Sequence, residues 1–299
     1  MNDILDVFLI RFLFVFIICG LIVLYKYTHF LLYPSSKNQL IKRFYPSRNP
    51  AETILIFSRI FGIGLIFSNF KIFLNNGFFY AAFDFILTST ITFSLYLLSL
   101  YILESIALSE FEYTDEITQK NNIPYAMISA SYSIGIPIIF RAFLTHSVSE
   151  NFHSIIYIIF MWCFTIVLLG FAVKSYSFVS KLSLNYLLSQ KSYALGFSYF
   201  GFFLAWIIII SSALNQPIVD IKDYGISLIL RIILSLLIMP IFKGIIPYIF
   251  QIQDDLEINT TVGKLQLPSY GVGIYEGVMF ITSAFMTTLV TSNIVFPSF

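Results

Sequence analysis

Ionisable residues stand inside long apolar stretches of this chain, among them Arg11, Arg59, Asp84, Arg141, Arg231 and Glu276. In hydrocarbon such a residue costs about 2.5–3.5 kcal/mol on insertion scales unless it is paired or wet, so each reads first as part of a pair, a path or a gate. Arg59 and Glu276 lie at similar depths from the same end of their stretches, about 8–12 Å in at 1.5 Å per helical residue. The spacing predicts an Arg59–Glu276 ion pair joining the two halves of the chain. A proton- or cation-sensitive gate is the functional use of such a pair, and snorkelling to the interface is the alternative. Arg11, Arg141 and Arg231 fall near the opposite ends of their stretches, with Asp84 as the nearest acid. They are expected to snorkel, or else to line a vestibule that attracts anions or lipid head groups. Glu104 is expected to be exposed, as the start of an acidic loop running through Glu110, Glu112, Asp115 and Glu116.

Other chemistry is thinly provided. Gly196-Phe197-Ser198-Tyr199 resembles the serine element of intramembrane proteases, but that nucleophile needs a general base. His29, His146 and His153 all precede it, and the chain has no other histidine. An intramembrane aspartyl site needs two facing carboxylates, and Asp84 has no second Asp to face. No Gly-Lys-Ser/Thr phosphate loop and no pair of His around a Glu occurs. The sequence therefore offers no catalytic residue, no metal site and no cofactor, and predicts a protein that is not an enzyme. Cys19 and Cys163 sit in the middle of apolar stretches and are expected to pack as small hydrophobes.

The surrounding composition explains why ionisable residues are rare. Of 299 residues, 58% are hydrophobic and 11% charged, against roughly 25% charged in a soluble domain. That excludes a soluble enzyme, a nucleic-acid binder and a disordered chain. The apolar runs are 6–28, 51–74, 78–103, 124–145, 154–178, 193–214, 225–250 and 269–293. Each is long enough for a membrane helix of about 20 residues and too uniform for an alternating barrel strand. Breakers separate them, including Pro34, Pro46, Pro50, Asn75-Asn76-Gly77, Pro217 and Pro268. The first run has no basic region before it and no small-residue cleavage site after it, so it is expected to be retained as a span.

Eleven Lys and Arg flank or occupy the odd-numbered gaps between runs, and two, Lys71 and Lys222, the even-numbered ones. By the positive-inside rule the odd gaps are expected in the cytoplasm and both termini outside.

The chain also repeats itself. Ser58-Arg59-Ile60-Phe61-Gly62 lies over Ser131-Tyr132-Ser133-Ile134-Gly135 at an offset of 73, and Ser192-Tyr193-Ala194-Leu195-Gly196 over Ser269-Tyr270-Gly271-Val272-Gly273 at 77. Cys19 and Ile22-Val23-Leu24 match Cys163 and Ile166-Val167-Leu168 at 144. The pattern predicts four parallel two-helix repeats grouped as two tandem four-helix modules, residues 1–147 and 148–299. The fold class is thus an all-α polytopic membrane protein of about eight spans. Small residues concentrate in the even runs: Gly62, Gly64, Gly135, Gly196, Gly201, Gly273 and Gly277 are expected to pack helix on helix, with the odd runs turned to lipid.

The small or polar entries of the even runs (Asn49-Pro50-Ala51, Ser192-Tyr193-Ala194, Ser269-Tyr270-Gly271), their spaced Gly and Ser, and the acidic stretch from Ile252 to Ile258 together resemble the YjfL-like family of four-span bacterial inner-membrane proteins. Each half of the chain is similar to one such module. The resemblance implies a multi-pass protein of the bacterial inner membrane, in the setting of envelope-stress systems, with a protein partner at the inner face and no catalytic residues. The partners to expect are the lipid bilayer, a cytoplasmic or membrane protein and a second copy of the chain, and not nucleic acid. Two functions follow as expectations: a non-enzymatic component of an envelope system, or a channel or transporter for a small ion or solute that uses the even helices and Glu276.

Overall fold

A computed structural model of the protein describes residues 2–34, 44–68, 77–146, 152–180, 184–216, 221–251, 269–292 and 294. Eight helices are long and apolar enough to cross a membrane. They are α1 (Asn2–Leu32), α2 (Pro50–Phe67), α3 (Phe78–Ala107), α4 (Ile123–His146), α5 (Phe152–Val179), α6 (Tyr193–Leu214), α7 (Ile221–Phe250) and α8 (Tyr270–Ser292). The expected eight-span all-α architecture in two four-helix modules is the one observed. The Ile252–Ile258 stretch lies outside the described residues, as do Lys37, Lys42, Arg43, Lys71, Lys181 and Lys264 among the basic residues counted for orientation.

Local sequence sets the helix boundaries. The Asn49 side chain accepts the Glu52 backbone N–H at 3.0 Å, Pro50 occupies the first turn, and Glu52 adds an acid where the helix dipole favours one. Gly77, at φ 92°, turns the chain into α3 in a conformation that side chains rarely adopt. Pro137 in α4 and Pro240 and Pro247 in α7 interrupt single backbone bonds without ending their helices.

The helices form an inner row and an outer cover. α2, α4, α6 and α8 pack in series, and α4 against α6 is the joint between the modules. Around that row, α1 lies on α2 and α3, α3 on α4 and α5, α5 on α4 and α6, and α7 on α8 and α6. In the most apolar window of each span, 78% of α6 and 72% of α4 are buried, against 17% of α1 and 22% of α7. The outward faces are Phe12, Phe16 and Val23 of α1, Phe160, Val167 and Phe171 of α5, and Leu237 and Ile241 of α7. The even-in, odd-out expectation holds.

Glycines explain why the row is so tight. A methyl group at Gly201 would fall on the Gly277 backbone, and one at Gly273 on the Ala194 backbone, so α6 and α8 touch main chain to main chain. Gly277 itself faces the Phe197 carbonyl, 2.5 Å from where its own Cβ would stand. Gly62 abuts the Ser133 carbonyl and Tyr96, Gly135 abuts Ile207, and Gly196 abuts Met127 and Pro124. Such approach recovers dispersion contact that hydrophobicity cannot supply in lipid. Gly64 departs from the expectation: nothing lies within 4 Å of its would-be Cβ, because it points away from the row. The cysteines depart too. Cys19 and Cys163 are exposed, since they belong to the outer helices whose outward faces meet lipid.

The modules are also tied at the end that carries the loops after α1, α3, α5 and α7. There Thr114–Gln119 form a turn of π-helix, and Leu184–Ser189 a short helix. Asn49 Nδ2 donates to the Ile117 carbonyl at 2.9 Å, and the Ala51 N–H to Asn121 Oδ1 at 2.9 Å. Asn122 Nδ2 donates to Glu116 at 2.6 Å and to the Leu188 carbonyl at 3.1 Å, and Lys191 Nζ to the Lys120 carbonyl at 2.6 Å. The last two bonds cross from one module to the other.

Candidate functional site

Each module gathers one polar side chain from each of its four helices, or from the residue just beyond, at this same end. In the first module Arg59 of α2 meets Glu104 of α3 at 2.6 Å, with side-chain exposures of 4% and 10%. The Ser129 hydroxyl of α4 donates to the same carboxylate oxygen. Tyr33, one residue past α1, donates to the other oxygen at 3.4 Å, and its ring lies beneath the Arg59 guanidinium at 5.9 Å. Burial, then the negative charge of Glu104, pushes the Tyr33 phenol above its ordinary pKa and keeps it a donor.

The second module repeats the arrangement with the roles moved. Glu276 now comes from the fourth helix, α8, and the cation, Lys243, from the third, α7, at 3.2 Å. Ser198 of α6 donates to the second oxygen of Glu276, and Tyr176 of α5 is hydrogen-bonded to that hydroxyl at 2.8 Å. Lys243 Nζ also stands 3.6 Å over the Phe280 ring, a cation–π contact. Its side chain keeps 27% exposure, so this pair is the wetter of the two.

Between the clusters Tyr132 of α4 and Tyr199 of α6 share a 2.5 Å hydrogen bond across the joint, and both are fully buried. Tyr96 of α3 reaches over to the Ser133 carbonyl of α4 at 3.1 Å.

The expected Arg59–Glu276 pair is not formed. Arg59 belongs to Glu104 and Glu276 to Lys243, so each pair closes within its own module. Glu104, expected in an exposed loop, is still within α3 and only 9% exposed. Lys243, counted from sequence as a loop cation, lies within α7. Among the remaining charges, Arg11, Asp84 and Arg141 are exposed. Arg231 is partly buried and donates to the Ser292 and Ile294 carbonyls at 3.2 and 3.1 Å, capping the end of α8, and it also lines a cavity there with Ser211, Asn215 and Gln216. Among the described residues no group of three His, Cys, Asp or Glu could hold a metal.

Sequence reasoning missed Ser129, Tyr33, Tyr176 and Glu52. One signal was available for Ser129: it is the seventh residue of α4, as Glu276 is of α8. Glu52 reads as an ordinary first-turn acid, and only the packing shows it to be fully buried.

A row of close-packed helices, backed by apolar helices and holding one charge cluster per half, defines a polytopic membrane protein made of two tandem modules. The chain belongs to the family described as Domain of Unknown Function (DUF350), whose model matches it twice, over residues 3–144 and 150–290. No curated relative and no solved structure matches the chain.

Proposed function

We propose that the protein is a non-enzymatic component of a bacterial envelope system, seated in the inner membrane with both termini outside, and that it docks a partner protein on its inner face. The reading rests on the sequence resemblance to YjfL-like modules, and one observation carries it. The loop between α3 and α4 is tied to α2 by Asn49 and Asn121 and to the second module by Asn122 and Lys191. Loops usually run free over the surface. This one is fixed against both modules, while Glu112, Asp115 and Gln119 are left pointing outward. A rigid acidic ledge of that kind suits a basic protein surface. The test is site-specific photocrosslinking in membranes from Glu112 and, as a reference, from Tyr80 at the opposite end. One discrete adduct from Glu112, lost when Glu110, Glu112 and Asp115 are changed to Lys, supports docking. The same adduct pattern from both positions would overturn it.

A second reading, a path for a small ion or solute, is favoured by the partly exposed Lys243–Glu276 pair. The glycine faces of α6 and α8 are filled by each other's backbones. Such a path would therefore run through polar side chains and not along the small-residue faces. Ion and proton flux in sealed liposomes, wild type beside Glu276→Gln, tests it. Flux abolished by the substitution supports a path, and flux equal to that of empty liposomes removes it.

A further inference from the structure

Glu52 is fully buried, and neither of its carboxylate oxygens has a hydrogen-bond partner. Its neighbours make this more pointed. Three buried carboxylates sit at this end of the first module: Glu52, Glu104 and Glu116. Arg59 holds Glu104 at 2.6 Å, with Ser129 donating to the same oxygen, and Lys120 and Asn122 hold Glu116, each at 2.6 Å. From α1, His29 is buried and engaged by Tyr25 at 3.4 Å and Tyr113 at 3.2 Å. From α4 the titratable group is Tyr125, and from the α3–α4 loop it is Tyr113, whose phenol is pushed up chiefly by burial. Among the described residues, no cation, hydroxyl or amide donates to the Glu52 oxygens.

An ionised carboxylate cannot stay in such a place without a counter-charge. We propose that Glu52 is a proton-binding site: it carries its own proton when the α2–loop junction is closed, and losing that proton loosens the junction. A metal cation fits poorly, because hard cations take six or more oxygen ligands. Here Asn49 Oδ1 is already used by the Glu52 backbone N–H. The position gives the proton something to control. Glu52 is in the first turn of α2, next to Asn49 and Ala51, which pin that turn to Ile117 and Asn121. A bare charge there would draw water into the contact that those bonds hold together. The site stands whether or not a partner uses the loop.

A hydrophobic carbodiimide tests this in the intact protein. A buried neutral carboxyl adds across one N=C bond: its proton goes to nitrogen, its oxygen bonds the central carbon, and acyl migration leaves a stable N-acylurea. The whole reagent is retained, with no leaving group or co-reactant. Full-length protein in lipid is treated at pH 6 and at pH 9, and labelling is read by peptide mass spectrometry. Glu52 is expected to label at least tenfold more than Glu104 or Glu276 at pH 6, and to lose most of that label at pH 9. Labelling of Glu52 no higher than of Glu104, or protection by sodium at constant pH, would overturn the proton site. Hydrogen exchange over residues 108–122, divided by the intrinsic amide rate at each pH, tests the coupling: protection should fall as pH rises in the wild type and stay constant in Glu52→Gln. Equal pH profiles in the two proteins would overturn the coupling.

Discussion

Ser129 and Glu276 hold the same place in the two modules and the opposite ends of the same bond. Each is the seventh residue of its module's last helix. Ser129 donates its hydroxyl to a carboxylate on the third helix, Glu104, whereas Glu276 is itself the carboxylate and accepts from Ser198 on the second. The modules share a cluster without sharing its wiring. A duplicated site retains a carboxylate, a cation and a serine hydroxyl while their helices of origin change.

The first prediction concerns the dry pair. Arg59→Ala leaves Glu104 buried with hydroxyl donors but no cation. Removing one partner of a buried ion pair costs about 3–5 kcal/mol. The melting temperature of the detergent-purified protein should fall well below wild type, and Arg59→Leu with Glu104→Leu should recover most of the loss. A double variant no better than Arg59→Ala alone would show that the pair is not the source of the cost.

At the second cluster the same logic gives a smaller number. Lys243 is partly exposed, so Lys243→Met should cost about 1 kcal/mol, nearer the surface-pair range. The two variants measured side by side by chemical denaturation should therefore rank Arg59→Ala as clearly the worse.

Backbone contact between α6 and α8 predicts a steep dependence on side-chain size. Gly277→Val should destabilise by about 1–3 kcal/mol or more, since neither backbone can yield without separating the helices. Gly64→Val, with open space around it, should leave thermal stability within about 0.5 kcal/mol of wild type. Equal melting temperatures for the two variants would contradict the packing described here.

Across the joint, Tyr132→Phe removes one buried hydrogen bond and leaves the Tyr199 hydroxyl without it. A loss of about 1–3 kcal/mol is expected. The double change Tyr132→Phe with Tyr199→Phe should cost less than the sum of the single ones, because no orphaned hydroxyl remains. A double-mutant cycle on unfolding checks this.

Asn122→Ala cuts the link from the α3–α4 loop to Leu188 and leaves Glu116 with Lys120 alone. Limited proteolysis within residues 108–122 should speed up several-fold while the spans stay protected. Unchanged cleavage would mean that Asn49 and Asn121 suffice to hold the loop.

Much of this architecture is legible in the residues because lipid imposes simple demands. Spans must be long and apolar, and close helices need small faces, so Gly62, Gly196, Gly201, Gly273 and Gly277 mark the inner row in the sequence itself. Pairing is less legible. Whether Arg59 meets Glu104 or Glu276 depends on how two helices are rotated about their axes, which a depth count leaves free. Glu104 looked like loop because its apolar run stops at residue 103, yet the helix continues to Ala107. Gly64 is two residues from Gly62, about 200° around a helix, so composition alone treats as alike two positions that face opposite ways.

The inner row is open: α2 and α8 stand at its ends without extensive contact between them. Its central joint, α4 against α6, is therefore the surface that an unfused module would have to offer to another molecule. Joining the halves in one polypeptide makes that encounter intramolecular and fixes which half meets which. Two separate identical copies would have to place the same charges on both sides of a symmetric contact. Once covalently paired, the halves are released from that constraint, and one can move its carboxylate from the third helix to the fourth while the other keeps it.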